Sequence, residues 1–361
     1  MQRVSVYEAE HAGEDLQLPE ERKSRHRAGC EDSQRRRETH PQNAGAELKM
    51  IFTDYTGRLG NQLFTYAFTR CLLERHEVKD KKLMANFKRS SAGSVEDGFE
   101  DSLQYFNVFP YEKESKDMAL KYGSVVQRFI YLLYVCCTKI PFIGRNDLWM
   151  SYIERTIERY GLFFTGAADE ARRIPSLRAK NIFIRGYFAD KANFDHIRPI
   201  LLSEITPKYP CLDDNRDLYE AAKRKNSVCV SVRRGDYLSE EYKKDFFVCD
   251  EDYFKKAIQI IREKTDHPTL IFFSDDIEWV KENMSYDDIP CFYESGKDAV
   301  WEKLRLMYSC HHFIISNSTF SWWAQYLGRR EDKIVISPSR WFANPRWHSN
   351  LIDESFITIE V

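Results

Sequence analysis

Four segments of this 361-residue chain carry side chains whose type and spacing suit a phosphorylated ligand. In Gly57-Arg58-Leu59-Gly60-Asn61-Gln62-Leu63-Phe64, two glycines three apart let the backbone approach a ligand closely. The segment runs into an amphipathic stretch, so its free N–H groups open a helix and offer partial positive charge to a phosphate. Arg58 and the Asn61 amide add donors, although a purely structural tight turn has the same pattern. The second segment is Arg233-Arg234-Gly235-Asp236-Tyr237, delivered by the strand-like run Val228–Val232. Two neighbouring guanidiniums repel, an anion beside them removes that cost, and each presents a fork that matches phosphate oxygens. Asp236 can hold one of them; a double surface salt bridge is the alternative.

The third segment is Ser274-Asp275-Asp276, at the end of the run Thr269–Phe273. A carboxylate there can accept from a guanine edge or from ribose hydroxyls, but Asp275 with Glu278 also reads as a capping box. The fourth is Ser316-Asn317-Ser318-Thr319-Phe320-Ser321, five small polar residues in six between a buried run and a helix. Capping needs one such residue, so the cluster reads as a second anion cradle. Phe320, Trp322 and Trp323 can stack on a base or sugar, with at least one Trp expected in the core. Asp250-Glu251-Asp252 has the look of a divalent-ion motif, yet it opens a helical stretch, where acids match the dipole. His311 and His312 are expected to be structural. No P-loop, serine-hydrolase elbow or zinc-ligand spacing is present.

The elements that must position these segments alternate. Strand-like runs end near Asp54, Arg185, Arg233, Ser274, Ser316 and Ser337, and helical periodicity runs through Gln62–Glu77 and Asp298–Cys310. Such alternation predicts parallel sheets with helices on both faces, whose ligands sit at the carboxyl ends of the strands. A cluster of Pro, Lys, Asp and Asn at Pro207–Asp214 marks the expected domain boundary. Residues 1–49 hold 9 Lys/Arg, 10 Asp/Glu and one aromatic. Too little apolar surface is available there to offset ordering entropy, so a disordered or non-native leader is expected.

Composition excludes several classes. With 54 Lys/Arg against 56 Asp/Glu the net charge is -2, and no basic field argues for nucleic acid. No run of ~18 apolar residues predicts a membrane span. The longest, Phe129–Cys137, reads as a buried helix. Nine scattered cysteines read as reduced, mostly buried thiols of a cytosolic protein.

At these motifs the chain resembles the α-1,2-fucosyltransferases of glycosyltransferase family 11, over Met50 to Phe342. Gly57–Phe64, Ser231–Tyr237 (except at its first position) and Ser316–Trp323 match three family segments in order, and Arg185–Phe188, Phe273–Asp275 and Trp341–Phe342 match smaller blocks. Ser231 departs from the family, most of whose members have His there. The resemblance implies an α/β fold of GT-B type, two Rossmann-like domains facing across a cleft, placed here at 50–210 (acceptor side) and 211–361 (donor side). It implies GDP-fucose as co-substrate, a galactose-terminated glycan acceptor, inversion at the fucose anomeric carbon, and no required metal or cofactor. Arg233 inherits contact with the donor phosphates, Asn61 a catalytic role beside them, and Ser318, Thr319 and Phe320 nucleotide contacts. Gly60, Arg234, Ser274, Asp275, Asn317 and Ser321 complete the expected donor contacts. Asp236 is the base or the residue that orients arginine. A fucosyltransferase acting on protein and a silent GDP- or glycan-binding module are the competing readings. The expected setting is cytoplasmic, with at most peripheral membrane contact.

Overall fold

Short runs rich in Ile, Val, Phe and Leu form two wholly parallel sheets. The computed structural model describes residues 50–75, 82–90, 99–144, 146–165, 172, 174, 179–240 and 242–361. The expected leader, 1–49, lies outside the described residues. The first sheet contains β1 (Met50–Asp54), β2 (Leu83–Asn86), β3 (Glu112–Lys113), β4 (Leu162–Phe164) and β5 (Asn181–Arg185), in the order β3-β2-β1-β5-β4. The second contains β6 (Ser227–Val232), β7 (Thr269–Ser274), β8 (Cys291–Tyr293), β9 (His312–Ile314), β10 (Val335–Pro338) and β11 (Ile357–Ile359), in the order β11-β10-β9-β6-β7-β8. Central strands are apolar along their length because helices cover both faces; all six residues of β6 are buried. Strand order reverses at β1/β5 and at β6/β9, so each sheet has one crevice at its carboxyl edge where ligands bind. This is the expected α/β architecture of GT-B type, with two Rossmann-like sheets. The chain passes from one to the other between Arg185 and Ser227.

The helices that matter here are α1 (Leu59–Arg75), α2 (Val125–Lys139), α3 (Asp147–Ile157), α4 (Glu251–Lys264), α5 (Ile277–Asn283), α6 (Val300–Ser309) and α7 (Thr319–Leu327). The expected helix Gln62–Glu77 is α1 as far as Arg75. Its remainder lies outside the described residues. Helix α1 is buried nearly all round because it lies between the first sheet and α7. There Phe64 meets Trp322 at 4.9 Å and Trp323 at 5.0 Å, and Phe194 stacks on Trp323 at 5.5 Å. The aromatic excess in the composition is therefore largely core, and it joins the two sheets.

Three expectations need correction. Phe129–Cys137 belongs to α2, which is not buried: Gln127 and Tyr131 face the first sheet, while Phe129 is 63% exposed and Leu132 and Leu133 are half exposed. Of the eight described cysteines only Cys71, Cys229, Cys249 and Cys310 are buried, and Cys136 and Cys211 are exposed. The capping box at Asp275 does not form, because Asp276 is the residue preceding α5 and the Asp275 carboxylate is turned toward the arginines. Asp250, by contrast, does cap α4, accepting from the Tyr253 N–H at 2.9 Å. Among the described residues, no helix is long and apolar enough to cross a membrane.

His312 opens β9 with its ring buried, and Nδ1 accepts the Ile334 N–H at 3.0 Å, which requires the neutral ring. Burial, and secondarily the neighbouring His311, hold its pKa down at about 4 against 6.5 for the free side chain. The unfolded chain therefore binds more protons between these values, and stability is lost as pH falls through that window, by up to roughly 3 kcal/mol. His312→Asn keeps an acceptor but does not titrate. Its melting temperature should fall less than that of the wild type between pH 6.5 and pH 4, and parallel melting profiles would refute the assignment.

Candidate active site

The loops that leave β1 and β6 meet across the gap between the sheets. Asp236 accepts from Arg58 at 2.8 Å on one carboxylate oxygen and from Arg233 at 2.5 Å on the other. Arg233 also reaches Asp275, at 2.7 Å. Arg58, Asp236, Arg233 and Asp275 thus form one chain of alternating charge from the first sheet to the loop after β7. A Cβ at Gly235 would press on the Asp275 carboxylate and push it from this position. Arg234 leaves in another direction: its guanidinium lies 3.4 Å from the Trp279 ring centroid and pairs with Asp276 at 3.2 Å. The Arg234 backbone N–H donates to Asp275 at 2.9 Å. Only Arg233 of the two joins the bridge to Arg58.

Beside this bridge the amino termini of α1 and α7 come together at Gly60. A Cβ there would stand 2.5 Å from Thr319 Oγ1 and 2.7 Å from the Phe320 nitrogen. Asn61, Ser318, Thr319 and Phe320 around that contact are half-buried. Among the described residues, the Asn61 amide and the Ser318 and Thr319 hydroxyls make no hydrogen bond to the protein. Unused donors at two helix amino termini, next to guanidiniums, form a surface that can take a diphosphate. Phe320 is the aromatic of its segment left partly exposed, whereas Trp322 and Trp323 are both buried.

The same loop also contains residues whose polar groups are occupied. Asn317 is buried, donating to the Phe246 and Trp341 carbonyls at 2.7 and 2.8 Å. Ser321 is buried, with its hydroxyl 2.7 Å from that of Ser231 and 3.3 Å from that of Ser316. Asn317 and Ser321, both expected as donor contacts, thus use their side chains here to hold the loop in shape. Ser231 ties β6 to the first turn of α7. Ser274 is buried and accepts the Asp276 N–H at 3.0 Å.

Three features of the site arise only in the tertiary structure. Gln62 holds the first loop by donating to the carbonyls of Gly57 (2.9 Å) and Glu100 (2.6 Å). Arg58 finds its partner 178 positions away, with no local signal. Asp54 and Arg185 end neighbouring strands in register and pair at 2.6 Å at the crevice of the first sheet. Burial is the larger influence on Asp54, raising its pKa despite Arg185, and its second oxygen has no hydrogen-bond partner in the protein. Among the described residues, no group of three His, Cys, Asp or Glu side chains is placed to hold a metal ion.

A two-sheet α/β protein whose arginine-bearing loops leave both sheets and meet has the build of a protein that takes an anionic ligand between them. Residues 135–357 match the model of glycosyl transferase family 11, and the chain belongs to that family of glycosyltransferases. It is 28% identical over 323 residues to the O-antigen biosynthesis glycosyltransferase WbnK of Escherichia coli, covering 86% of this chain and 100% of that one. It is also 28% identical over 320 residues to an alpha-1,2-colitosyltransferase of Escherichia coli, covering 87% and 100%. The galactoside alpha-(1,2)-fucosyltransferase 1 of Homo sapiens is 36% identical over 106 residues, 28% of either chain.

Gly60→Ala places a methyl against the Thr319 backbone, 2.8 Å from its carbonyl carbon, where no flexible side-chain end can yield. We expect a cost of about 1–3 kcal/mol, as for overpacking elsewhere, read as a lower melting temperature. Transfer activity should fall further than that loss of stability explains. A variant with wild-type melting and turnover would show that the two helix ends are not in contact.

Proposed function

We propose that this protein is an inverting α-1,2-fucosyltransferase that moves L-fucose from GDP-β-L-fucose to a hydroxyl of a galactose-terminated glycan. The observation that carries the reading is Arg233, held by Asp236 and Asp275 at the crevice of the second sheet, beside the unbonded Ser318, Thr319 and Asn61. In the proposed complex the residues from 211 onward hold the nucleotide, and residues 50–210 face the acceptor. The diphosphate takes the place of Asp275 on Arg233, while Asp236 keeps the guanidinium aimed. Gly60, Arg234 and Ser274 shape the pocket around it, and Phe320 lies against the nucleotide. The acceptor hydroxyl attacks the anomeric carbon from the face opposite GDP. Arg233 and the helix-end donors stabilise the charge that grows on the departing β-phosphate. Because each Asp236 oxygen already accepts from a guanidinium, we assign Asp236 to orienting Arg58 and Arg233 rather than to proton abstraction. No metal or cofactor is required in this scheme, and the setting proposed is cytoplasmic.

The match to the human galactoside fucosyltransferase supports the acceptor and linkage. The colitosyltransferase relative favours a second reading, in which colitose is the sugar transferred to the same kind of acceptor. Competition between GDP-fucose and GDP-colitose on an array of galactose-terminated glycans, with the product linkage read by NMR, separates the two. Transfer to protein alone, or donor binding without transfer, would overturn both.

Arg233→Lys keeps the charge and loses the fork. Turnover should fall by roughly 100-fold or more with the melting temperature nearly unchanged, and Arg233→Ala should be worse. Near wild-type turnover in Arg233→Lys would move phosphate stabilisation to the Ser318–Thr319 loop. Titration calorimetry with GDP in excess EDTA should still show binding; its loss on chelation would refute the metal-free scheme.

A further inference from the structure

We propose that the outer helical layer of the first sheet, formed by α2 and α3, docks on an anionic lipid surface. Helix α2 has two apolar faces. One, with Tyr131 and Tyr134, packs on the sheet. On the other, Val125, Phe129, Leu132 and Leu133 recur at positions one, five, eight and nine and stay exposed, Val125 to 81%. The turn after α2 adds Phe142, 78% exposed. Helix α3 packs beside α2 and adds Leu148, Trp149 and Tyr152, all exposed, on the side away from its core residues Ile153 and Ile157. A contiguous apolar face of this kind is an interaction site unless something covers it.

The charge pattern selects the partner. From Met118 to Asn146 the chain holds four basic residues, Lys121, Arg128, Lys139 and Arg145, and no Asp or Glu; Lys121 pairs with Glu114, which precedes the stretch. In a chain with 56 acidic residues in 361, that stretch is strongly asymmetric. Apolar side chains with bases alongside and Trp and Tyr at the rim are the pattern of a helix lying in the membrane interface, drawn there by anionic headgroups. At 15 residues α2 is too short to span a bilayer, so it lies along the surface. A second copy is a poor occupant. Across a two-fold axis the bases of α2 would meet those of the other copy, and of the two acids of α3, Asp147 and Glu154, the second is buried. The inference does not rest on the transfer reaction, and its test uses neither donor nor acceptor.

The experiment is co-sedimentation of the full chain with phosphatidylcholine vesicles, with and without phosphatidylglycerol. Partition onto the phosphatidylglycerol vesicles should be at least roughly tenfold stronger, given that each basic residue near such a surface adds attraction. High potassium chloride should weaken it. Phe129→Glu with Leu133→Glu should abolish pelleting, and Phe142→Ser with Leu148→Ser should weaken it, both without change in melting temperature. If the wild type does not pellet, or both double variants pellet undiminished, the proposal fails. It also fails if light scattering shows a wild-type dimer that the variants split while vesicles are ignored, which would assign the face to a second copy.

Discussion

The meeting of α1 and α7 at Gly60 is the constraint on which the rest of the site depends. Two helix amino termini directed at one point bring two partial positive charges together, and Arg58 and Arg233 add two full ones. Such a concentration is tolerable only with anions at hand, and Asp236 and Asp275 supply them. In the proposed complex a diphosphate entering this place meets donors already arranged, with a resident carboxylate to displace. The absence of a Cβ at one residue is what allows the approach.

Stability and alignment come from different interactions. The Arg58–Asp236 pair has side chains more than a third exposed, and such pairs contribute about 0–1 kcal/mol. It cannot hold two sheets together. Phe64, Phe194, Trp322, Trp323 and Tyr326 pack into one aromatic cluster between them, and full burial of each such side chain is worth about 1.5–3 kcal/mol. The aromatic core therefore fixes the relation of the sheets, and the ion pairs set the angle of the guanidiniums within it. Helix α2, apolar on both faces, lies on the far side of the first sheet, away from this shared core.

Much of this was legible in the chain. Alternating strand and helix patterns announced parallel sheets, because period-two and period-3.6 signals are local. Gly57–Phe64, Arg233–Tyr237 and Ser316–Trp323 stood out because each packs several donors into a few residues at a strand end, and all three adjoin one another in the structure. What local reading could not tell was which of those donors remain unbonded. Asn317, Ser318, Thr319 and Ser321 look alike in sequence, yet Asn317 and Ser321 point into the core and bond to carbonyls and hydroxyls far along the chain. Likewise nothing near Phe129 shows that one apolar face of its helix would go unused.

The sequence alone determined the fold class, the strand ends that carry chemistry, and the family resemblance, since all three reside in residue type and short-range spacing. Tertiary structure decided the strand order, the pairing of Arg58 with Asp236, the parting of Arg233 from Arg234, and the choice of Gly60 as the point of contact. Those depend on distances between segments tens to hundreds of residues apart. Such distances come from how buried surfaces pack, and no local pattern encodes them.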